Sequence, residues 1–159
     1  MNFLGCLVVL LASTVPSTKT DVLRDYRTLE RRCPAPFFAV GPECFYVNRA
    51  NKTWPMGRAT CQRIGGDLAE PLDIYVFLEA IRDRYDSWRE KYFWVGGETF
   101  SKGSDSSQWT WFSGRPVTAW NTDQVIGREG EDCLMFGLKD DLPMYDYFCN
   151  ETSPFICEI

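Results

Sequence analysis

Six cysteines, Cys33, Cys44, Cys61, Cys133, Cys149 and Cys157, are spread behind an apolar leader, and they constrain the fold more than any other feature. The seventh, Cys6, lies inside the apolar run from Phe3 to Ala12. That run falls well short of the roughly 20 apolar residues needed to cross a bilayer core. Small residues follow it, and Val15-Pro16-Ser17 suits cleavage, so residues 1–17 read as a secretory signal peptide. An even number of cysteines behind such a leader reads as three disulfides in an oxidising compartment, and the expected location is secreted and extracellular. Six cysteines allow 15 pairings, and spacing by itself leaves them all open. Zinc is the weaker reading, because the chain has no Cys-x-x-Cys pair and no histidine.

The absence of histidine reaches further. It removes Ser-His-Asp and Cys-His catalysis and any imidazole proton shuttle. Carboxylate pairs remain, but nothing in the sequence sets two of them across a cleft, and no enzyme is expected. The net charge of −5 comes from mixed signs with no basic tract, which argues against nucleic acid and membrane insertion as targets. An aromatic share of 15%, with six Trp, seven Tyr and eleven Phe, suits a densely packed core and an aromatic-rich surface.

Along the chain, residues 18–32 form a polar lead-in, and a single domain is expected over 33–159. The segment from Cys33 to Cys44 fits a disulfide-closed hairpin, with Phe45-Tyr46-Val47 leaving it as a strand. Thr53 is placed to cap a helix beginning at Trp54-Pro55 and stopping at Gly65-Gly66. In a second helix Ile74, Phe77, Leu78, Ile81 and Tyr85 recur at i, i+3, i+4, i+7 and i+11, a core-facing stripe. Beyond residue 91 the pattern turns to short strands: Tyr92-Phe93-Trp94-Val95, ended by Gly96-Gly97; Gln108 to Phe112; Cys133 to Phe136; Tyr145 to Cys149; and Phe155 to Glu158. Trp120 to Glu131 shows no periodicity and reads as a long loop. Two helices with mostly antiparallel short strands make an α+β domain.

These parts, in this order, resemble the C-type lectin-like domain family, and the resemblance runs from Cys33 to the C-terminus. Cys61 is followed by Gly65-Gly66 and Leu68. Trp94-Val95-Gly96-Gly97 is similar to the family's Trp-Ile-Gly-Leu signature. Trp109-Thr110-Trp111 and Gly114-Arg115-Pro116-Val117 precede Trp120, and Glu131-Asp132-Cys133 leads the last part. The resemblance implies the pairs Cys33–Cys44, Cys61–Cys157 and Cys133–Cys149, and a ligand-binding surface on the long loop. Trp94, Trp109 and Trp111 are assigned to the core.

In sugar-binding members a calcium ion bridges protein and carbohydrate, held by hard oxygen ligands. Mapped one position at a time, Glu131 matches the acidic ligand ahead of Cys133. Asp146 matches the Asp of the Asn-Asp pair, whose Asn is replaced by Tyr145. Gln124 is what remains of the Glu-Pro-Asn or Gln-Pro-Asp triplet, and its proline is missing. Gln124, Glu131, Tyr145 and Asp146 are therefore the ligand-binding candidates, with Glu131 and Asp146 as the candidate calcium ligands. So depleted a set is not expected to hold calcium tightly. Aromatic stacking against sugar offers another route, with Tyr145 favoured over Trp120, Tyr147 beside it, and Asn121 as a polar neighbour.

Asn51-Lys52-Thr53 and Asn150-Glu151-Thr152 are glycosylation sequons, Asn150 being expected to be the less accessible. The resemblance extends to soluble single-domain invertebrate lectins of innate immunity, and it implies recognition of glycans on microbial surfaces. The alternative is a lectin-like domain that has lost sugar binding and takes a protein ligand through the long loop.

Overall fold

The computed structural model describes residues 33–85, 92–99, 108–121 and 128–159. The expected signal peptide, the lead-in, and the middle of the long loop with Gln124 lie outside these segments.

The cysteines pair as Cys33–Cys44, Cys61–Cys157 and Cys133–Cys149, with Cα atoms 5.6, 5.3 and 5.2 Å apart. The first closes a hairpin of β1 (Phe38–Val40) and β2 (Glu43–Lys52), turned at Gly41, whose φ is 58°. Helix α1 (Trp54–Arg63) follows. Thr53 is its N-cap residue in extended conformation, yet its side chain makes no capping bond, contrary to expectation. The start is held instead by proline in the first turn and by Trp54, whose buried indole N–H donates to the Val95 carbonyl at 2.9 Å. The helix closes as its sequence foretells: Gly65 takes a φ of 88°, and the Gly66 amide donates to the Cys61 carbonyl at 3.1 Å.

Two-residue β3 (Asp67–Leu68) leads to α2 (Ile74–Tyr85). The Asp73 carboxylate accepts the Tyr75 and Val76 amides at 3.0 and 3.1 Å, capping α2. Ile74, Phe77, Leu78 and Ile81 are buried, so the apolar stripe faces the core. At the far end Arg82 donates to the Leu138 and Asp140 carbonyls and to the Asp141 carboxylate.

The remaining strands are β4 (Tyr92–Glu98), β5 (Thr110–Trp111), β6 (Cys133–Gly137), β7 (Met144–Tyr147) and β8 (Ser153–Glu158). Among the described residues they join one sheet in the order β1-β2-β8-β4-β6-β7, with β3 on β8 and β5 on β4. Among these strand pairs the β4–β8 contact, Trp94 opposite Phe155, is parallel, and an isolated parallel bridge joins Trp120 to Met144. Both faces of this sheet are covered, and strand alternation sorts side chains between them. Phe93, Val95, Leu134, Phe136 and Ile156 join the α2 side, where Phe77 lies 4.5 Å from Phe45 and 4.9 Å from Phe136 by ring centres. Trp94, Cys133, Met135, Phe155 and Cys157 face α1, with Trp54 and Cys61.

Two strand expectations are corrected. β4 does not end at Gly96-Gly97 but runs to Glu98. The glycines are there for close approach: a Cβ at Gly96 would sit 2.5 Å from the Leu68 carbonyl oxygen, and one at Gly97 2.6 Å from the Leu134 side chain. The strand expected over Gln108 to Phe112 is only Thr110–Trp111. The chain turns straight after it, the Gly114 amide donating to the Trp111 carbonyl at 2.9 Å with φ 81° at Gly114.

Candidate ligand site at the base of the long loop

The long loop leaves the core beside Trp120, whose ring meets Trp109 edge-on at 5.3 Å. Its first residues are pinned to β7: the Met144 amide donates to the Ala119 carbonyl at 3.1 Å, and the Asn121 amide to the Met144 carbonyl at 2.9 Å. It returns through a turn in which the Glu131 amide donates to the Arg128 carbonyl at 3.0 Å, with Gly130 at φ 88°. Both roots of the loop therefore lie against β6 and β7.

Glu131 and Asp146, one from the returning loop and one from β7, are both buried at this base, at 6% and 1% exposure. Burial, first, and then the charge of Asp146 push the Glu131 carboxyl above its usual range, while Arg128 pulls it down. The two acids named from the sequence thus sit within each other's field.

Tyr145 does something different from what its position suggested. It is not a stacking surface: its ring is buried at 4% exposure, meeting Tyr92 edge-on at 5.2 Å. Gly137 makes the room, since a Cβ there would lie 2.5 Å from the Tyr145 ring. The hydroxyl donates to the Asp140 carboxylate and accepts from the Asn121 side-chain amide at 2.9 Å, and that amide also reaches Asp140 at 3.2 Å. Asn121, expected as a polar neighbour of a ligand, is itself buried in this cluster. Burial and the Asp140 carboxylate hold the tyrosine hydroxyl protonated well above its usual range. Strand alternation explains the split, because Tyr145 and Asp146 project to opposite faces.

A calcium ion takes six to eight oxygens. Among the described residues no group of three or more cysteine, aspartate or glutamate side chains is arranged to hold a metal. A buried, protonated phenol stands where the resemblance wants an asparagine. The described donor set does not fit a calcium ion of that kind.

The exposed aromatic surface lies one step further along. Tyr147 and Phe148 are 42% and 40% exposed, their ring centres 5.8 Å apart, and Tyr147 leans on buried Trp94 at 6.4 Å. Phe148 packs beside Gly130, where a Cβ would fall 3.4 Å from its ring. A phenylalanine in water against the turn that carries Glu131 is the feature the sequence reading missed. Its only signal was an aromatic pair placed immediately before Cys149.

Both sequon asparagines are exposed, Asn51 at the end of β2 and Asn150 in the turn after Cys149.

The model of the lectin C-type domain family matches residues 50–159. The type-2 ice-structuring protein of Brachyopsis segaliensis is 31% identical over 142 residues, covering 87% of this chain and 77% of its own length. C-type lectin domain family 4 member M of Nomascus concolor is 23% identical over 134 residues, and the match covers 80% of this chain but only 31% of that protein. Among solved structures, a calcium-independent type II antifreeze protein superposes with a TM-score of 0.65 at 25% identity, over 80% of this chain and 94% of that one.

Proposed function

The chain belongs to the C-type lectin domain family, and from that premise we propose that it is a secreted glycan-recognition domain, directed at microbial surface sugars, which binds without a bridging calcium ion. One observation carries the reading: an exposed aromatic pair, Tyr147 and Phe148, packs against the turn that bears Glu131. Sugar rings present an apolar face that stacks on such side chains while their hydroxyls bond to nearby polar groups. The buried acids Glu131 and Asp146 lie at the base of the loop beside this pair. Support for calcium independence comes from the lost ligand at Tyr145, and a structural relative described as calcium-independent points the same way.

A second reading, binding to ice, is favoured by the 31% identical ice-structuring relative. A glycan array probed with the full chain, run beside a thermal-hysteresis measurement, separates the two. The expected result is array signal without hysteresis, weakened about fivefold by Phe148→Ala or Tyr147→Ala. Hysteresis with a blank array would replace the first reading by the second. A blank array without hysteresis would also overturn it, in favour of a protein ligand.

A further inference from the structure

A cavity of about 480 Å³ shares no residue with the long-loop site. It opens between the β1–β2 turn at Glu43, the Asp67–Leu72 connection, Arg115, and the chain's last residues Glu158 and Ile159. A volume of that size is in the range of small-ligand sites. Its rim leaves two apolar side chains in water, Leu72 at 59% exposure and Ile159 at 36%.

The polar wall carries unbalanced negative charge. Glu43 is nine-tenths buried. Its Oε1 accepts the Leu72 amide at 2.9 Å, and among the described residues no donor reaches its Oε2. Glu158 Oε2 accepts the Glu70 amide at 2.8 Å, and its other oxygen likewise has no donor there. The Glu70 carboxylate accepts the Ser113 amide, and Asp67 is engaged by Arg58 at 3.1 Å. The one guanidinium in the cavity wall, Arg115, directs its hydrogen bonds to neutral oxygens: the carbonyls of Glu70 and Pro71, at 2.6 and 3.3 Å, and the Ser113 hydroxyl at 3.3 Å.

A buried carboxylate is expensive unless a cation or enough donors compensate it. Here the donors are single backbone amides, and the charge of one cation, Arg115, is shared between the two carboxylates. We propose that this cavity binds a primary ammonium or guanidinium group on a short apolar stem, the charge meeting Glu43 and Glu158 and the stem covering Leu72 and Ile159. Such a group comes either from a small alkylamine or from a basic side chain of another protein.

The pH behaviour agrees in sign. The Glu43 carboxyl is pushed up to about 7, chiefly by burial, with Glu158 and Asp73 adding to the effect and the Leu72 amide and Arg115 opposing it. Glu158 is raised as well, by burial and by Glu70, against the pull of the Glu70 amide and Arg115. Acidification therefore removes the charge that holds the ligand, and a bound cation keeps the carboxylates ionised.

The test is a backbone-amide NMR titration of the full chain with hexylammonium, hexanol and hexanoate, with N-acetyl-lysine-methylamide as a fourth arm. Saturable shifts at Leu72 and Glu70 are expected with hexylammonium and not with hexanol or hexanoate. Moving from about pH 8 to about pH 5.5 is expected to weaken the binding about tenfold. Glu43→Gln, which keeps an acceptor for Leu72 but drops the charge, is expected to weaken it comparably, and Glu158→Gln serves as the second variant. Binding of the lysine derivative as tightly as hexylammonium assigns the site to a protein's basic side chain; hexylammonium alone assigns it to a small amine. Hexanol binding as well as hexylammonium, no saturable shifts with either cation, or full binding retained by both variants would overturn the proposal. None of these readouts involves glycan binding.

Discussion

Tyr145 shows how a single side chain redirects a site. Its hydroxyl ties Asn121, at the root of the long loop, to Asp140, beyond β6. Tyr145→Phe keeps the ring against Tyr92 but strips both partners of their shared bond in a buried place. The expected cost is about 1 to 2 kcal/mol, measured by chemical denaturation. Glu131 and Asp146, matched to ligand positions in the sequence, lie buried at the base of the loop, each close in sequence to one end of the Cys133–Cys149 bridge. The sequence could not place the Tyr145 ring, because the space that ring fills exists only where Gly137 on the neighbouring strand lacks a side chain. Glu43 carries a second prediction at this scale. Its carboxyl is raised above the unfolded value, so between about pH 4.5 and 7 the folded chain holds a proton that the unfolded chain has lost. Stability should therefore fall as pH rises across that window, by about 1 to 2 kcal/mol after allowing for screening by solvent. Urea denaturation across the same range checks the slope, and Glu43→Gln should flatten it.

At the scale of elements, the legible parts were those with a strong period or a stop signal. α2 was readable from its 3.6-residue stripe, and its buried residues are members of that stripe. The stop at Gly65-Gly66 was readable because a positive φ is cheap only for glycine. Gly96-Gly97 misled for the same reason, since glycine also serves close backbone approach inside a strand, and no local pattern separates the two uses. At α1 the expected cap is not made: the Thr53 side chain forms no capping bond, and the start is held by proline in the first turn and by the buried Trp54. The bridges carry this scale's prediction. Cys61–Cys157 ties α1 to β8 across 96 residues, whereas Cys33–Cys44 spans 11. In the chain-entropy model, replacing the first pair by serine costs about 4 to 5 kcal/mol and the second about 3 kcal/mol. Thermal and denaturant unfolding of the two double variants gives the comparison, and equal losses would contradict the loop-length account.

For the whole molecule, three bridges and a sheet buried on both faces make a rigid frame, and function is left to what that frame presents at its ends. At one end the roots of the long loop, the paired acids and the Tyr147–Phe148 surface form the candidate glycan site; elsewhere an acidic cavity faces water with more carboxylates than cations in its wall. The frame was legible because crosslinks and core periodicity repeat through the sequence. The site was only partly so, because which aromatic faces water is decided by packing between strands distant in the chain. The central claim is recognition of sugar by aromatic and polar contact with no metal bridge. Calorimetry of one array-selected glycan against the full chain, in calcium and then in EDTA, addresses it most directly. The account predicts the same affinity in both buffers; binding that vanishes with EDTA and returns with added calcium would contradict it.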